Sequence, residues 1–102
     1  LHGITLNPIH KLLLNELNPF LIDAREPDEI KTLDMIPGAI NVPLGSIAKA
    51  FSLTDNEFFK KYNANKPGKY EKIIVYCRSG ARSTTARRIL HSLGFSKYTL
   101  LF

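Results

Sequence analysis

Tryptophan is absent, and cysteine and methionine each occur once, at Cys77 and Met35. A single cysteine excludes an internal disulfide and any zinc site built mainly from thiolates. The three histidines, His2, His10 and His91, are scattered and read as surface residues rather than as a ligand set, so no metal site is expected. No apolar run approaches the roughly 18 residues that span a bilayer. Residues 11–14 and 72–77 are the longest candidates, so no membrane segment is expected. The start of the chain carries neither a secretory signal pattern nor an initiating methionine, and the chain reads as a trimmed piece of a longer protein. The net charge of +5 comes from scattered lysines and arginines, paired only at Lys60–Lys61 and Arg87–Arg88. Such scatter fits a solvated surface rather than nucleic-acid binding, while still favouring small anionic ligands.

What is present fits one domain, residues 1–102. A chain of this size buries about two-thirds of its unfolded surface, enough for a hydrophobic core. Short apolar segments alternate with helical patterns. Strands are predicted at 4–6, 20–23, 39–42, 72–77 and 98–102. The first helix follows Asn7 as cap, with Pro8 at its first position. It runs to Leu17 with Ile9, Leu12, Leu13, Glu16 and Leu17 at helical spacing, and Asn18–Pro19 ends it. Pro27 opens a helical turn to Ile30, Pro37–Gly38 marks a turn, and residues 46–51 form another helical turn. Thr54 with Glu57 three residues on is a capping box for a helix to Tyr62, in which Phe51, Phe58, Phe59 and Tyr62 serve packing. Residues 78–82 read as a polar loop. A helix over 83–93 follows, with Ala86, Ile89, Leu90 and Leu93 on one stripe and Gly94 just beyond its end. This order predicts an α/β domain: a doubly wound, mainly parallel five-stranded sheet with helices on both faces. Ligands of such sheets bind beyond the carboxyl ends of the strands. Cys77 ends one strand, and Asp23 and Arg25 lie at the same end of another.

The segment Val75-Tyr76-Cys77-Arg78-Ser79-Gly80-Ala81-Arg82-Ser83 joins the strongest strand to a helix. A short strand-to-helix loop turns several backbone N–H groups inward as an anion nest. Gly80 permits the backbone angles this needs. The helix adds the positive end of its dipole, and Arg78 and Arg82 add full charges. Each of these favours an anionic sulfur, and such settings lower a cysteine pKa by about 1–5 units. A cysteine that merely ended a buried strand would need none of them.

At this point a family resemblance emerges. Cys77-Arg78-Ser79-Gly80-Ala81-Arg82-Ser83 resembles the active-site loop of the rhodanese family. Asp23-Ala24-Arg25-Glu26-Pro27-Asp28-Glu29 resembles that family's Asp-Val-Arg-Glu-Pro signature. Ile36-Pro37-Gly38-Ala39-Ile40-Asn41-Val42-Pro43 resembles a third signature. The three occur in family order, and residues 51–67 resemble the helical insert of single-domain eukaryotic members. The resemblance implies a thiosulfate sulfurtransferase-like enzyme. In it Cys77 takes a sulfane sulfur from a small anionic donor such as thiosulfate, becomes a persulfide, and passes the sulfur to cyanide or a thiol. A thioredoxin-like or other protein acceptor belongs to the same class. No cofactor is implied. Arg25 matches an arginine near the substrate anion, with a surface ion pair to Glu26 or Asp28 as the alternative role. Arg82 matches the position closing the loop, Arg78 the flanking basic one, and Ser79, Gly80 and Ala81 the nest. Asp23 and Ser83 match structural positions beside the site. The setting implied is intracellular, cytoplasmic or mitochondrial.

Two departures stand out. Asp34-Met35 occupies the place where the family has Gly-His, and the chain ends at Phe102 without the family's Gly-Gly turn and tryptophan-bearing helix. The domain therefore reads as truncated at its C-terminus. Two other functions compete. A phosphatase of the same fold needs five residues between cysteine and arginine; here there are four, Ser83 stands at the longer-loop position, and Tyr76 replaces the usual His. A binding or regulatory module often lacks the cysteine, which this chain retains.

Overall fold

The computed structural model describes residues 8–32, 34–95 and 99–101. The elements in chain order are α1 (Pro8–Leu17), β1 (Phe20–Asp23), α2 (Pro27–Thr32), β2 (Ile40–Asn41), α3 (Ile47–Ala50), α4 (Asp55–Tyr62), β3 (Ile73–Tyr76), α5 (Ala81–Ser92) and β4 (Thr99–Leu101). A short 3-10 turn, Leu44–Ser46, precedes α3. Local chemistry sets the boundaries. Pro8 opens α1, where a missing N–H costs nothing. Asn18, at φ 44°, closes it by donating its N–H to the Leu14 carbonyl at 3.2 Å. At α4 the Thr54 hydroxyl accepts the Glu57 N–H and the Glu57 carboxylate accepts the Thr54 N–H, so the capping box is complete.

The strands pair in the order β2-β1-β3-β4, all parallel among the described residues. The segment 4–6, expected to supply a fifth strand, lies outside those residues, as do the Asn7 cap and His2. Because successive side chains on a strand point to opposite faces, the sheet sorts its residues into two layers. Ile22, Ile73 and Val75 join Ile47, Phe58, Ala86 and Leu90, which come from α3, α4 and α5. Leu21, Ile74 and Tyr76 join Ile36, with Leu14 and Leu17 of α1 packed against them. Helices therefore cover both faces. From β1 the chain passes to β2 on one side and later to β3 on the other, so β1 and β3 flank the point where the strand order reverses. The carboxyl ends of that pair are where a crevice forms in this topology. Asp23 lies beside Tyr76 in their register, which sets Arg25 and Cys77 on neighbouring exits from the sheet.

Three expectations are corrected. Ile9 and Leu12 of α1 are exposed, and Leu14, which was outside the expected stripe, packs against the sheet beside Leu17, which was part of it, so the packed face is turned toward Leu14. Phe59 is also exposed, whereas Phe58 is fully buried between Phe51 and Tyr62, at ring-centroid distances of 5.6 and 4.8 Å. Last, α5 begins at Ala81 rather than at Ser83, because Gly80 adopts φ 90° and serves as its N-cap. Arg82 thus sits in the first turn of a helix and not in the loop.

The core and the cap should differ in cost. Phe58→Ala leaves a cavity and is expected to lose about 3–5 kcal/mol. Thr54→Ala removes only the capping hydroxyl and is expected to lose about 1 kcal/mol. Urea denaturation of both variants measures this, and the reverse order would contradict the packing described.

Candidate active site

Cys77 follows β3 directly and is buried at 7% exposure. The chain then turns through Ser79 and Gly80 into α5. Gly80 is required here for its backbone alone, since a Cβ at this position would meet nothing within 4 Å. Its φ of 90° is one that residues with a Cβ rarely adopt. That conformation aims the Gly80 N–H at the Cys77 Sγ, 3.0 Å away. The Ser83 N–H, one of the unpaired donors in the first turn of α5, reaches the same sulfur at 3.4 Å. The Ser83 hydroxyl is fully buried; it donates to the Gly80 carbonyl at 3.1 Å and accepts from the Cys77 thiol at 3.5 Å. A hydroxyl carries one hydrogen and two lone pairs, so once the thiol ionises it can turn that hydrogen toward the sulfur.

Two opposing effects set the acidity of Cys77. Burial, the largest single influence, pushes the thiol up. The Ser83 hydroxyl and the backbone N–H groups of Ser83, Gly80 and Ser79 act together in the other direction and hold it below the ordinary thiol value. The net result is a thiol shifted toward its thiolate, the form that acts as a nucleophile.

The arginines are placed in three different ways. Arg25 is completely buried. Its Nε donates to both Asp23 carboxylate oxygens at 3.0 Å, its Nη2 to Oδ2 at 2.7 Å, and its backbone N–H to Oδ1 at 2.9 Å. Nη2 also reaches the Asp34 carbonyl at 3.0 Å. The Asp23 bond, opposed by burial, holds the guanidinium above its usual range. The surface pair with Glu26 or Asp28 is not what forms; the partner is Asp23, below the surface. Asp34, where the family pattern has glycine, takes part through its carbonyl, which any residue supplies.

Arg82 reaches across from α5 to α2. Its Nη2 donates to Glu29 Oε2 at 2.9 Å and its Nη1 to Oε1, a two-pronged charged pair of the strong kind. Arg82 in turn holds the Glu29 carboxyl down at about 2, helped by the Glu26 N–H that Glu29 accepts at 3.0 Å. Arg78 is exposed and makes no hydrogen bond or ion pair among the described residues. Ser79 and Ala81 are exposed on the loop and at the start of α5.

Sequence reasoning missed Glu29 as a site residue. Its only signal was local: an acidic residue in the first turn of a short helix opened by Pro27. It also missed the part played by Tyr76, whose phenol oxygen accepts the Ile36 N–H at 3.0 Å and whose burial raises its pKa. Tyr76 ties the segment before β2 to the strand that carries Cys77.

The sequence pattern described as the Rhodanese-like domain matches residues 7–101. This chain belongs to the rhodanese-like domain family. A Schizosaccharomyces pombe relative bearing the name of a mitochondrial thiosulfate sulfurtransferase is 51% identical over 75 residues, 74% of this chain and 52% of its own length. The thiosulfate:glutathione sulfurtransferase of Saccharomyces cerevisiae is 40% identical over 83 residues, 81% of this chain and 59% of its own length. The chain thus spans little more than half the length of these two relatives. Among solved structures, the human single-domain sulfurtransferase TSTD1 superposes with a TM-score of 0.84 at 27% identity, covering 93% of this chain and 83% of that one. The rhodanese-like fold and the strand-to-helix loop bearing Cys77 are therefore described in the same chain. Among the described residues no group of histidine, cysteine or acidic side chains is arranged to hold a metal, and no helix is long and apolar enough to cross a membrane.

Two outcomes check this site. Ser83→Ala removes a hydroxyl that favours the anionic sulfur, so the pH midpoint of Cys77 alkylation should rise. A midpoint that falls or stays fixed would contradict the assignment. Asp23→Asn leaves the Arg25 guanidinium buried without its counter-charge and should cost about 3–5 kcal/mol in denaturant unfolding.

Proposed function

We propose that this rhodanese-like domain is a sulfurtransferase working through a persulfide on Cys77. The observation that supports this best is the pair of backbone N–H groups, from Gly80 and Ser83, directed at the sulfur at 3.0 and 3.4 Å. In the first half-reaction the Cys77 thiolate attacks the outer sulfur of thiosulfate. A new S–S bond forms, the S–S bond of thiosulfate breaks, and sulfite leaves with the electron pair. The product, an anionic persulfide, keeps its negative charge on the outer sulfur, and N–H groups pre-aimed at the nest stabilise charge there without reorganising. In the second half-reaction cyanide or a thiolate attacks that outer sulfur. Thiocyanate or a new persulfide leaves, and the Cys77 thiolate returns.

Within these 102 residues Cys77 is the one thiol, which supports an acceptor from outside this domain. The baker's-yeast relative is named for glutathione, which supports a small thiol as that acceptor. A protein thiol, such as a thioredoxin-like partner, is the other class. Anionic donors fit the net charge of +5 and the exposed Arg78. The names of relatives favour a mitochondrial setting within the intracellular one. The loop is one residue short for encircling a phosphate, and its amides converge on the sulfur itself, both of which weigh against phosphatase chemistry.

Incubation with thiosulfate alone should raise the intact mass by one sulfur atom, and cyanide or glutathione should then remove it. Initial rates with both substrates varied should show double displacement. Cys77→Ser should abolish both steps and keep the fold. An unchanged mass with thiosulfate and other sulfane donors would leave the binding-module reading standing instead.

A further inference from the structure

Glu29 and Arg82 are 53 residues apart, yet their side chains meet in a two-pronged pair that links α2 to the first turn of α5. Arg82 directly precedes Ser83, whose N–H and hydroxyl both contact the Cys77 sulfur. The first turn of α5 has few other anchors. Gly80 offers no side-chain cap, and α5 carries no acidic residue in its own first turn. Among the described residues its local ties are short-range: the Ser83 and Thr84 hydroxyls and the Thr84 N–H donate to the Gly80 carbonyl, and the Thr85 hydroxyl donates to the Ala81 carbonyl. The guanidinium of Arg82 is also spoken for: both terminal nitrogens face a carboxylate, and its charge is locally balanced. Arg78, on the other flank of the loop, is exposed and unpaired among the described residues.

We propose that Glu29 is a positioning residue: by gripping Arg82 it seats the first turn of α5 against the Cys77 sulfur, and it leaves Arg78 as the cation that meets the incoming donor anion. Arg82 then acts as an anchor for the nest and not as a substrate ligand. This deepens the sulfur-transfer reading and rests on it for the donor, while the anchoring itself can be read without any donor.

The experiment combines two measurements on the whole chain: the pH midpoint of Cys77 alkylation by iodoacetamide, with no donor present, and steady-state transfer from thiosulfate to cyanide. Glu29→Gln unmasks an Arg82 charge that by itself would favour the thiolate, whereas Arg82→Gln removes that charge; if the pair anchors the turn, both should nevertheless loosen it, raise the alkylation midpoint and lower kcat by about tenfold or more. A misplacement of about 1 Å can cost about 10²-fold. The double variant should be no worse than either single one, because the two residues act as one unit. Arg82→Lys keeps the charge but loses the fork, so it should resemble Glu29→Gln. Arg78→Ala should leave the alkylation midpoint nearly in place and raise KM for thiosulfate by about tenfold, the low end of electrostatic steering effects.

Three results would overturn the proposal. One is a Glu29→Gln variant with lower KM and normal kcat, which would mean that Glu29 merely masks a substrate-binding Arg82. Another is an Arg82→Lys variant with wild-type transfer. The third is an alkylation midpoint unmoved in both Gln variants. If the Gln variants do not fold, as judged by circular dichroism, the exchange Glu29→Arg with Arg82→Glu decides. It rebuilds the pair with reversed charges, so recovered transfer supports an anchor, and a folded but inactive exchange overturns it. Failure of the sulfur-transfer reading itself shows separately, as a wild-type chain that gains no sulfur mass.

Discussion

Burying a sulfur atom raises the cost of its charge, and at Cys77 that cost is offset by hydrogen bonds that belong mainly to the backbone. The Gly80 N–H exists in its position only because glycine accepts φ 90°, and the Ser83 N–H is free only because it lies in the first turn of a helix. Neither donor depends on a flexible side chain, so the nest is ready before any ligand arrives. The rest of the molecule can be read as the support of that geometry. β3, buried on all four residues, presents Cys77 at its end. The buried stripe of α5, Ala86 and Leu90, presses the helix onto the sheet so that its first turn stays over the sulfur.

Positive charge around the site is divided by burial. Arg25 is withdrawn below the surface, where its Nε and Nη2 bond Asp23 and the Asp34 carbonyl and fasten the exit of β1 to the segment leading toward β2, while its buried Nη1 has no partner among the described residues. Asn41 adds to this by donating to the carbonyls of Asp23 and Arg25 at 3.0 and 2.8 Å. Arg82 is engaged by Glu29 near the surface, and Arg78 stands in solvent. Three arginines at one end of a sheet thus serve as a buried strut, a clamp and an open charge. Residue type alone does not distinguish these roles, because a guanidinium is a good partner in each setting.

The parts of this protein that were legible from its sequence are those whose physics is local. Pro8 starts α1, the Thr54–Glu57 box starts α4, and Gly94 at φ 91° ends α5, each within a few residues of the signal that announces it. The strand segments at 20–23 and 73–76 were legible because short apolar runs bounded by turns have few alternatives. The Cys77 loop was legible for the same reason, since cysteine, glycine and helix start fall within a few residues.

Tertiary structure decided everything that depends on which groups meet across the sheet. α1 carries apolar residues on more than one side, so only docking could choose Leu14, alongside Leu17, over Ile9 and Leu12. Asp23 and Arg25 are two residues apart, but their pair is buried because β1 became a central strand flanked by β2 and β3. Glu29 met Arg82 because the crossover from β1 and the helix after β3 converge at one end of a parallel sheet. Capping, turns and apolar period are written within a few residues of chain. The partner of a charge is set by long-range packing, and burial at that partner decides whether the charge holds the fold together or faces a substrate.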